Sequence, residues 1–145
     1  ELIERSVEIA RLSAEIRQKQ QTYAKKPKVK TISANTREFR DALYLKTWQD
    51  KVERVGNLNY PDEAKRSQIS GNLTMVVEIN PDGSLRKAEI GRSSGKKVLD
   101  DAALRIVTMA APFSPFSKEM RKEFEVLRIV RTWKFESGNR FSTQR

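Results

Sequence analysis

The sequence predicts an α+β fold: a two-layer domain with a three-stranded antiparallel sheet and two helices on one face, preceded by additional long helices. Three observations carry this. From Leu73 to Ile79, and again through 124–136, apolar residues recur with the period of a strand. Between them, Asn80-Pro81-Asp82-Gly83 supplies the preset φ and the positive-φ position of a tight turn. From Tyr60 on, the order is helix, strand, turn, strand, helix, strand, so the sheet has two helices for one of its faces. The length of 145 residues suits one domain with an appendage, and 37% hydrophobic residues means that the core is small or that part of the chain lies outside it.

Residues 1–24 read as a helix with a thin seam. Leu2, Ile9, Ile16 and Tyr23 recur every seven residues, with Leu12 three after Ile9, and Glu4, Glu8, Arg11, Glu15 and Arg17 fill other positions. Arg5 and Lys19 sit on the companion seam, so a coiled coil and an exposed connecting helix both remain open. Glu1 falls within the helical pattern, as expected of a piece cut from a longer chain. Pro27 and four lysines around it predict an extended basic linker. Asn35-Thr36 is expected to cap a second helix near 37–56, with a stripe of Leu45, Trp48, Val52 and Val55 and a flanking row of Phe39 and Ala42. Trp48 is read as core. Gly56-Asn57 is expected to end this helix with a left-handed cap.

Tyr60-Pro61-Asp62-Glu63-Ala64-Lys65 opens a short third helix with proline in its first turn. The strand Leu73–Ile79 and the return strand Leu85–Gly91 form a hairpin, which Ser93-Ser94-Gly95 ends. Leu99, Ala102, Ala103, Ile106 and Ala110 share the face of a helix over 97–110, stopped by the prolines of 111–116. In the last strand Leu127, Ile129, Trp133 and Phe135 lie on one side, and Arg128, Thr132, Lys134 and Glu136 on the other. The expected organisation is a helical segment at 1–26, a basic linker at 27–35, a helix at 36–57 packing on or leading into the domain, the domain itself at 58–138, and a flexible tail at 139–145.

The missing residue types exclude much chemistry. There is no His and no Cys, hence no Ser-His-Asp or Cys-His catalysis, no zinc cage and no disulfide framework. Asp62-Glu63 and Asp100-Asp101 sit in first helical turns, where they favour the helix dipole, and neighbouring helical residues point apart, so neither pair suits acid/base work. Gly91-Arg92-Ser93-Ser94-Gly95 before a helix is a candidate anion nest, without the Lys-Ser/Thr ending of a phosphate loop. No cofactor, metal or catalytic residue is expected. The formal charge of +10 is spread along the chain and is compatible with nucleic acid, anionic lipid or a polyanionic wall as partner. Arg131-Thr132-Trp133-Lys134-Phe135 has the look of a nucleic-acid strand, but Trp133 and Phe135 are in phase with Leu127 and Ile129, which turns them into the core. A basic nucleic-acid-binding α+β module stays as an alternative from a different class.

Three strands leave two open edges, and an open edge can take an extended peptide as a further strand, through backbone hydrogen bonds alone. Tyr60-Pro61, Ala64, Gly71, Leu73–Ile79, Pro81-Asp82-Gly83, Ser93-Ser94-Gly95, Leu99-Asp100, Ala102-Ala103 and Pro112-Phe113, in this order and spacing, resemble the C-terminal domain of TonB-family energy transducers. Ile32–Glu38 and Trp48 through Gly56-Asn57-Leu58-Asn59-Tyr60-Pro61 are similar to a subgroup in which a helical periplasmic segment replaces a long Pro-rich spacer.

The resemblance implies a periplasmic, non-enzymatic coupling domain. Its parent would be anchored in the inner membrane by one N-terminal helix that engages proton-channel motor subunits. Its partner would be an outer-membrane TonB-dependent receptor, whose N-terminal box adds as a strand to the last strand of the domain. Carried over, the receptor-binding residues are Phe124, Glu125, Val126, Leu127, Arg128, Ile129, Val130, Arg131, Thr132, Trp133, Lys134 and Phe135, together with Asn57, Leu58 and Asn59 before the Tyr-Pro helix. The 1–24 and 37–56 helices would be rigid reach elements or the seam of a homodimer. A TolA-like or TonB-like protein serving envelope integrity or a surface machine such as pili is the alternative within this architecture.

Overall fold

The two period-two segments pair directly. In the computed structural model of the chain, which describes residues 2–24, 26–36, 38–60, 62, 69–136 and 140–144, β2 (Gly71–Ile79) runs antiparallel to β4 (Val126–Glu136) along its whole length, from Gly71 opposite Phe135 to Ile79 opposite Leu127. β3 (Leu85–Arg92) returns antiparallel on the other side of β2. The expected α+β layering is present, with Leu73, Met75, Val77 and Ile79 of β2 and Leu127, Ile129, Trp133 and Phe135 of β4 buried on the helix-covered face.

The sheet is larger than the expected three strands. Residues 29–32, read as linker, form β1 (Val29–Ile32), parallel to β4 with Val29 opposite Val126 and Ile32 opposite Ile129. Residues 140–144, read as flexible tail, form β5 (Arg140–Gln144), antiparallel to β4 with Arg140 opposite Glu136 and Gln144 opposite Thr132. The result is a mixed five-stranded sheet. The physical reason is a burial opportunity that charge statistics do not show: Ile32 and Phe141 are 2% and 1% exposed, set among charged and polar neighbours.

Among the described residues, the helices that complete the fold are α1 (Leu2–Ala24), α2 (Phe39–Leu58), α3 (Lys97–Ala110) and α4 (Lys118–Glu123). The short α4 was not expected; Ser117 caps it by accepting a hydrogen bond from the Met120 N–H. The third helix expected at 60–65 lies outside the described residues except at Tyr60 and Asp62. The seam residues Leu2, Ile9, Leu12 and Ile16 of α1 are exposed. Leu45, Trp48 and Val52 of α2 are buried as the stripe predicts, and Trp48 is core, its ring between Phe113 and Trp133. The flanking row differs: Asp41 and Tyr44 are buried, while Phe39 is 82% exposed.

Both expected caps of α2 are corrected. The helix starts after Glu38 without a side-chain cap, because Thr36 is engaged in its own turn: its Oγ1 accepts from the Ser33 N–H and its N–H donates to the Ser33 carbonyl. At the other end the helix runs on to Leu58 with Asn59 as its C-cap. Gly56 is helical and serves a close approach instead: a Cβ there would lie 2.4 Å from the Phe141 ring.

Two loop contacts fix the layers. The turn glycine Gly83 has φ 90°, and its carbonyl accepts the Phe113 N–H while Pro81 accepts that of Phe116. The hairpin turn thus anchors the proline-rich 111–116 segment that carries two core phenylalanines. The candidate anion nest is filled from within the chain: the Asp100 carboxylate accepts from both hydroxyls of Ser93 and Ser94 and from the Ser94 N–H. Burial pushes the Asp100 pKa up, and the hydrogen bonds from Ser93 and Ser94 outweigh it, so the net shift is downward.

A Gly83→Ala chain should lose about 2–4 kcal/mol in chemical denaturation, because the new Cβ meets both an unfavourable φ and the Phe113 carbonyl at 2.1 Å. Asp100 has a lowered folded-state pKa, so its contribution is complete above about pH 4 and is lost as pH falls through the folded value. An Asp100→Ala chain should be about 1 kcal/mol less stable at neutral pH and show a shallower stability loss below pH 4 than the parent in denaturation series across pH.

Candidate functional site

A strand reaches a partner through its unpaired backbone edge, so the first question is which edges are free. Among the described residues, β4 is paired on both edges over most of its length. β2 takes one side of residues 127–135; on the other, β1 takes 126–129 and β5 takes 132–136. The expectation that the last strand leaves its outer edge open is corrected on this point. β1 runs with β4 and β5 against it, so the two fillers point their C-terminal ends at each other near Val130 and Arg131. The outer edge of β3 carries no partner strand among the described residues.

The N-terminal filler is held by backbone bonds and one side chain. The Lys28 carbonyl, just before β1, accepts the N–H groups of Glu125 and Val126 at 2.8 and 3.0 Å. Lys30 then reaches up to α2, with Nζ 2.5 Å from Asp41 Oδ2 and 3.0 Å from Glu38 Oε1. Asp41 is fully buried, and Arg40 adds a second cation beside it while pairing also with Glu123. Burial lowers the Lys30 pKa, but the hydrogen bonds and charges of Asp41 and Glu38 prevail and hold it above its ordinary value.

The C-terminal filler is held differently. In an antiparallel pair, alternate residues aim their N–H and C=O away from the partner strand. For β5 these are Phe141 and Thr143, and both face α2. Asn57 Oδ1 accepts the Phe141 N–H at 2.9 Å, Glu53 Oε1 accepts the Thr143 N–H at 2.9 Å, and Gln49 Nε2 donates to the Thr143 carbonyl at 2.9 Å. Gln49, Glu53 and Asn57 are spaced four apart, so they form one row along the helix. Arg131 ties the row to β4 by donating to Gln49 Oε1 at 3.0 Å and to the Thr143 carbonyl at 3.3 Å. The Phe141 ring occupies the space over Gly56, with the Trp133 and Phe135 rings each 5.0 Å away, centre to centre. Tyr60 closes the end of the groove: its hydroxyl donates to the Glu136 carbonyl at 2.9 Å, and burial, then the Glu136 charge, raises its pKa.

The structure places the expected residues unevenly. Asn57 is in the groove. Leu58 is 78% exposed, and Asn59 turns back, its side-chain amide donating to the Val55 carbonyl. Phe124 and Glu125 precede β4; Phe124 is buried with its ring against Phe116, and Glu125 is exposed. Leu127, Ile129, Trp133 and Phe135 are buried on the core face, and Val126, also buried, opens the strand on the other face. Arg128 and Glu78 pair on the opposite face, which Val130, Thr132 and Lys134 share by alternation. Trp133 and Phe135 are 0% and 1% exposed, so neither is offered for stacking on a base. Sequence reasoning missed Gln49 and Glu53, and Arg131 as a groove residue. The four-residue spacing of Gln49, Glu53 and Asn57 was visible, but it reads as the solvated side of a helix until a strand is known to lie beside it.

Residues 56–135, more than half of the chain, match the family described as Gram-negative bacterial TonB protein C-terminal. A Protein TonB of Pasteurella multocida is 36% identical over 67 residues, which cover 46% of this chain and 26% of that protein; the chain thus spans about a quarter of that relative. The solution structure of the Helicobacter pylori TonB C-terminal domain superposes with a TM-score of 0.53 at 22% identity, covering 65% of this chain and 80% of that one, a likeness of fold. The chain belongs to the TonB C-terminal family, a family of non-enzymatic transducers. β1, most of α2 and β5 lie outside the matched residues.

Two substitutions separate the fillers. Gly56→Val should drive the Phe141 ring from its seat at a cost of about 1–3 kcal/mol, and hydrogen exchange should speed up at the Phe141 and Thr143 amides while those of β2 stay protected. Lys30→Met should cost about 2–3 kcal/mol, less than a fully buried pair because Lys30 is partly exposed, by leaving Asp41 without its nearest cation. Adding Asp41→Leu should restore part of that loss in denaturation.

Proposed function

We propose that this chain is the periplasmic coupling part of a TonB-like energy transducer. Its parent protein takes up inner-membrane proton-motive energy through motor subunits and passes it to outer-membrane receptors. The receptor's N-terminal box joins β4 as an added strand, with residues 124–135 and Asn57, Leu58 and Asn59 as the receptor-facing set. The observation that supports this most is the family match over 56–135, which spans β2, β3, α3 and nearly all of β4.

Strand addition suits this chemistry. Backbone hydrogen bonds need no particular side chain, so one transducer can serve several receptors, and cross-strand side-chain pairs tune which peptide is preferred. No helix among the described residues is long and apolar enough to cross a membrane; in this reading the anchor belongs to the parent protein. Transport of iron or siderophores is the cargo class most in keeping with a receptor partner. A second reading, service to a surface machine or to envelope integrity, draws support from α1 and most of α2, which precede the matched residues.

An NMR titration with synthetic N-terminal box peptides from the host's outer-membrane receptors tests the reading. Saturable amide shifts at 126–136 and at the α2 end near Asn57 are expected. Shifts confined to β3, or none with any peptide, would reject receptor capture on β4.

A further inference from the structure

Both halves of the β4 edge are occupied, but they are not equally exchangeable. β1 depends on a particular side chain, since a buried Asp41 needs the Lys30 ammonium. β5 is gripped by its backbone: β4 bonds one set of its amides, and the row Asn57, Glu53 and Gln49 bonds the other. These contacts would be met by any extended chain in the same place. β4 and α2 therefore form a two-sided groove, rather than a bare edge, with an aromatic seat at one position and an enclosed position two residues on.

We infer that residues 140–144 act as an internal stand-in ligand for this groove, and that the partner peptide enters by displacing them. The partner strand then runs antiparallel to β4 at 132–136. It carries a large aromatic or apolar residue over Gly56, where Phe141 sits, and a small hydroxyl-bearing residue two positions later, where the buried Thr143 Oγ1 lies 3.3 Å from Glu53 Oε1. Glu53 and Arg131 place one charge of each sign at the groove, which favours an occupant of low net charge there. This rests on the reading that β4 takes a partner strand and narrows it: the exchangeable half is 132–136, and Gln49 and Glu53, outside the family match, join Gly56 and Asn57 in reading the occupant. A tethered occupant competes at an effective concentration of the order of millimolar, so it suppresses binding of free peptide without any further device.

The probe is a fluorescent synthetic peptide with the sequence of residues 138–145. It is titrated into the full chain, into Phe141→Ala, and into a chain carrying a protease site in place of 137–139 that is cut after folding. The cut chain keeps every native groove residue, so a fold defect in Phe141→Ala does not decide the matter. The peptide should bind the cut chain at least about tenfold more tightly than the intact chain. Replacing its Phe by Ala, or adding Gly56→Val to the cut chain, should cost at least another tenfold. Equal affinity for intact and cut chains, or no binding to either, overturns the inference. So does a two-chain complex of the intact protein by light scattering with its β5 strands exchanged, which makes a second copy the occupant. Receptor box peptides in the same series separate this from the broader reading. If they bind neither form while the 138–145 peptide exchanges, the groove stands and receptor capture falls. If they bind intact and cut chains alike, receptor capture stands and the internal block falls.

Discussion

A central strand has to satisfy its backbone on both edges, and Val126–Glu136 is the strand on which the rest of this molecule depends. Its 11 residues pair with β2 on one side along nearly their whole length. An isolated outer edge of that length, in a strand this apolar, would be a site for uncontrolled pairing. The chain covers it with two short pieces, four residues from before the domain and five from after it. Neither piece is long enough to hold itself in place by ladder bonds alone, so each needs a second anchorage, and α2 supplies both. Its first turn holds β1 through Asp41, and its last two turns hold β5 through Glu53 and Asn57. The helix is thus less a spacer than a clamp laid across the two fillers.

The two anchorages differ in kind, and the difference has mechanical meaning. Lys30 and Asp41 form a charge pair that penalises any arrangement in which one of them is left buried alone. Side-chain-to-backbone bonds carry no such memory of sequence. A filler held by the first kind stays with its own chain, and one held by the second can be replaced by a stranger with the same backbone. The aromatic cluster of Phe141, Trp133 and Phe135 adds the selectivity that backbone bonding lacks, because a ring of that size must be present to fill the space above Gly56.

What was legible in the sequence follows the physics of pattern. Where one face of an element is buried, its period is written in the residues, so β2, β4, α3 and the stripe of α2 could be read directly. The turn at Gly83 was readable because proline and glycine constrain φ by themselves. β1 and β5 were not readable. In Val29-Lys30-Thr31-Ile32 and Arg140-Phe141-Ser142-Thr143-Gln144, one deeply buried apolar residue each is all that marks a strand, and lysine and arginine around them mimic a solvated linker and a tail. Gly56 was seen as a helix stop because glycine near a helix end usually is one; only the Phe141 ring packed over it reveals the close approach. The residues at 124–135 were legible as a strand, while the state of its outer edge depends on one segment nearly a hundred residues earlier, Val29 opposite Val126, and on another just after the strand.

On the proposed reading, a covered edge is an asset for a protein that must grip and release. A bare β4 would hold any strand it met, including another copy of itself. A tethered occupant sets a threshold: a partner peptide is admitted only when its local concentration, raised by docking of the larger bodies, exceeds that of the tether. Release is then assisted, because the tail is always at hand to retake the groove. Pulling along the chain would load the strand pair through its backbone bonds, while the Gln49–Glu53–Asn57 row holds the occupant from the other side. A two-sided grip resists sliding out of register better than a single edge does, since a shift of one residue would aim the aromatic side chain away from its seat and present the wrong backbone groups to all three α2 side chains at once.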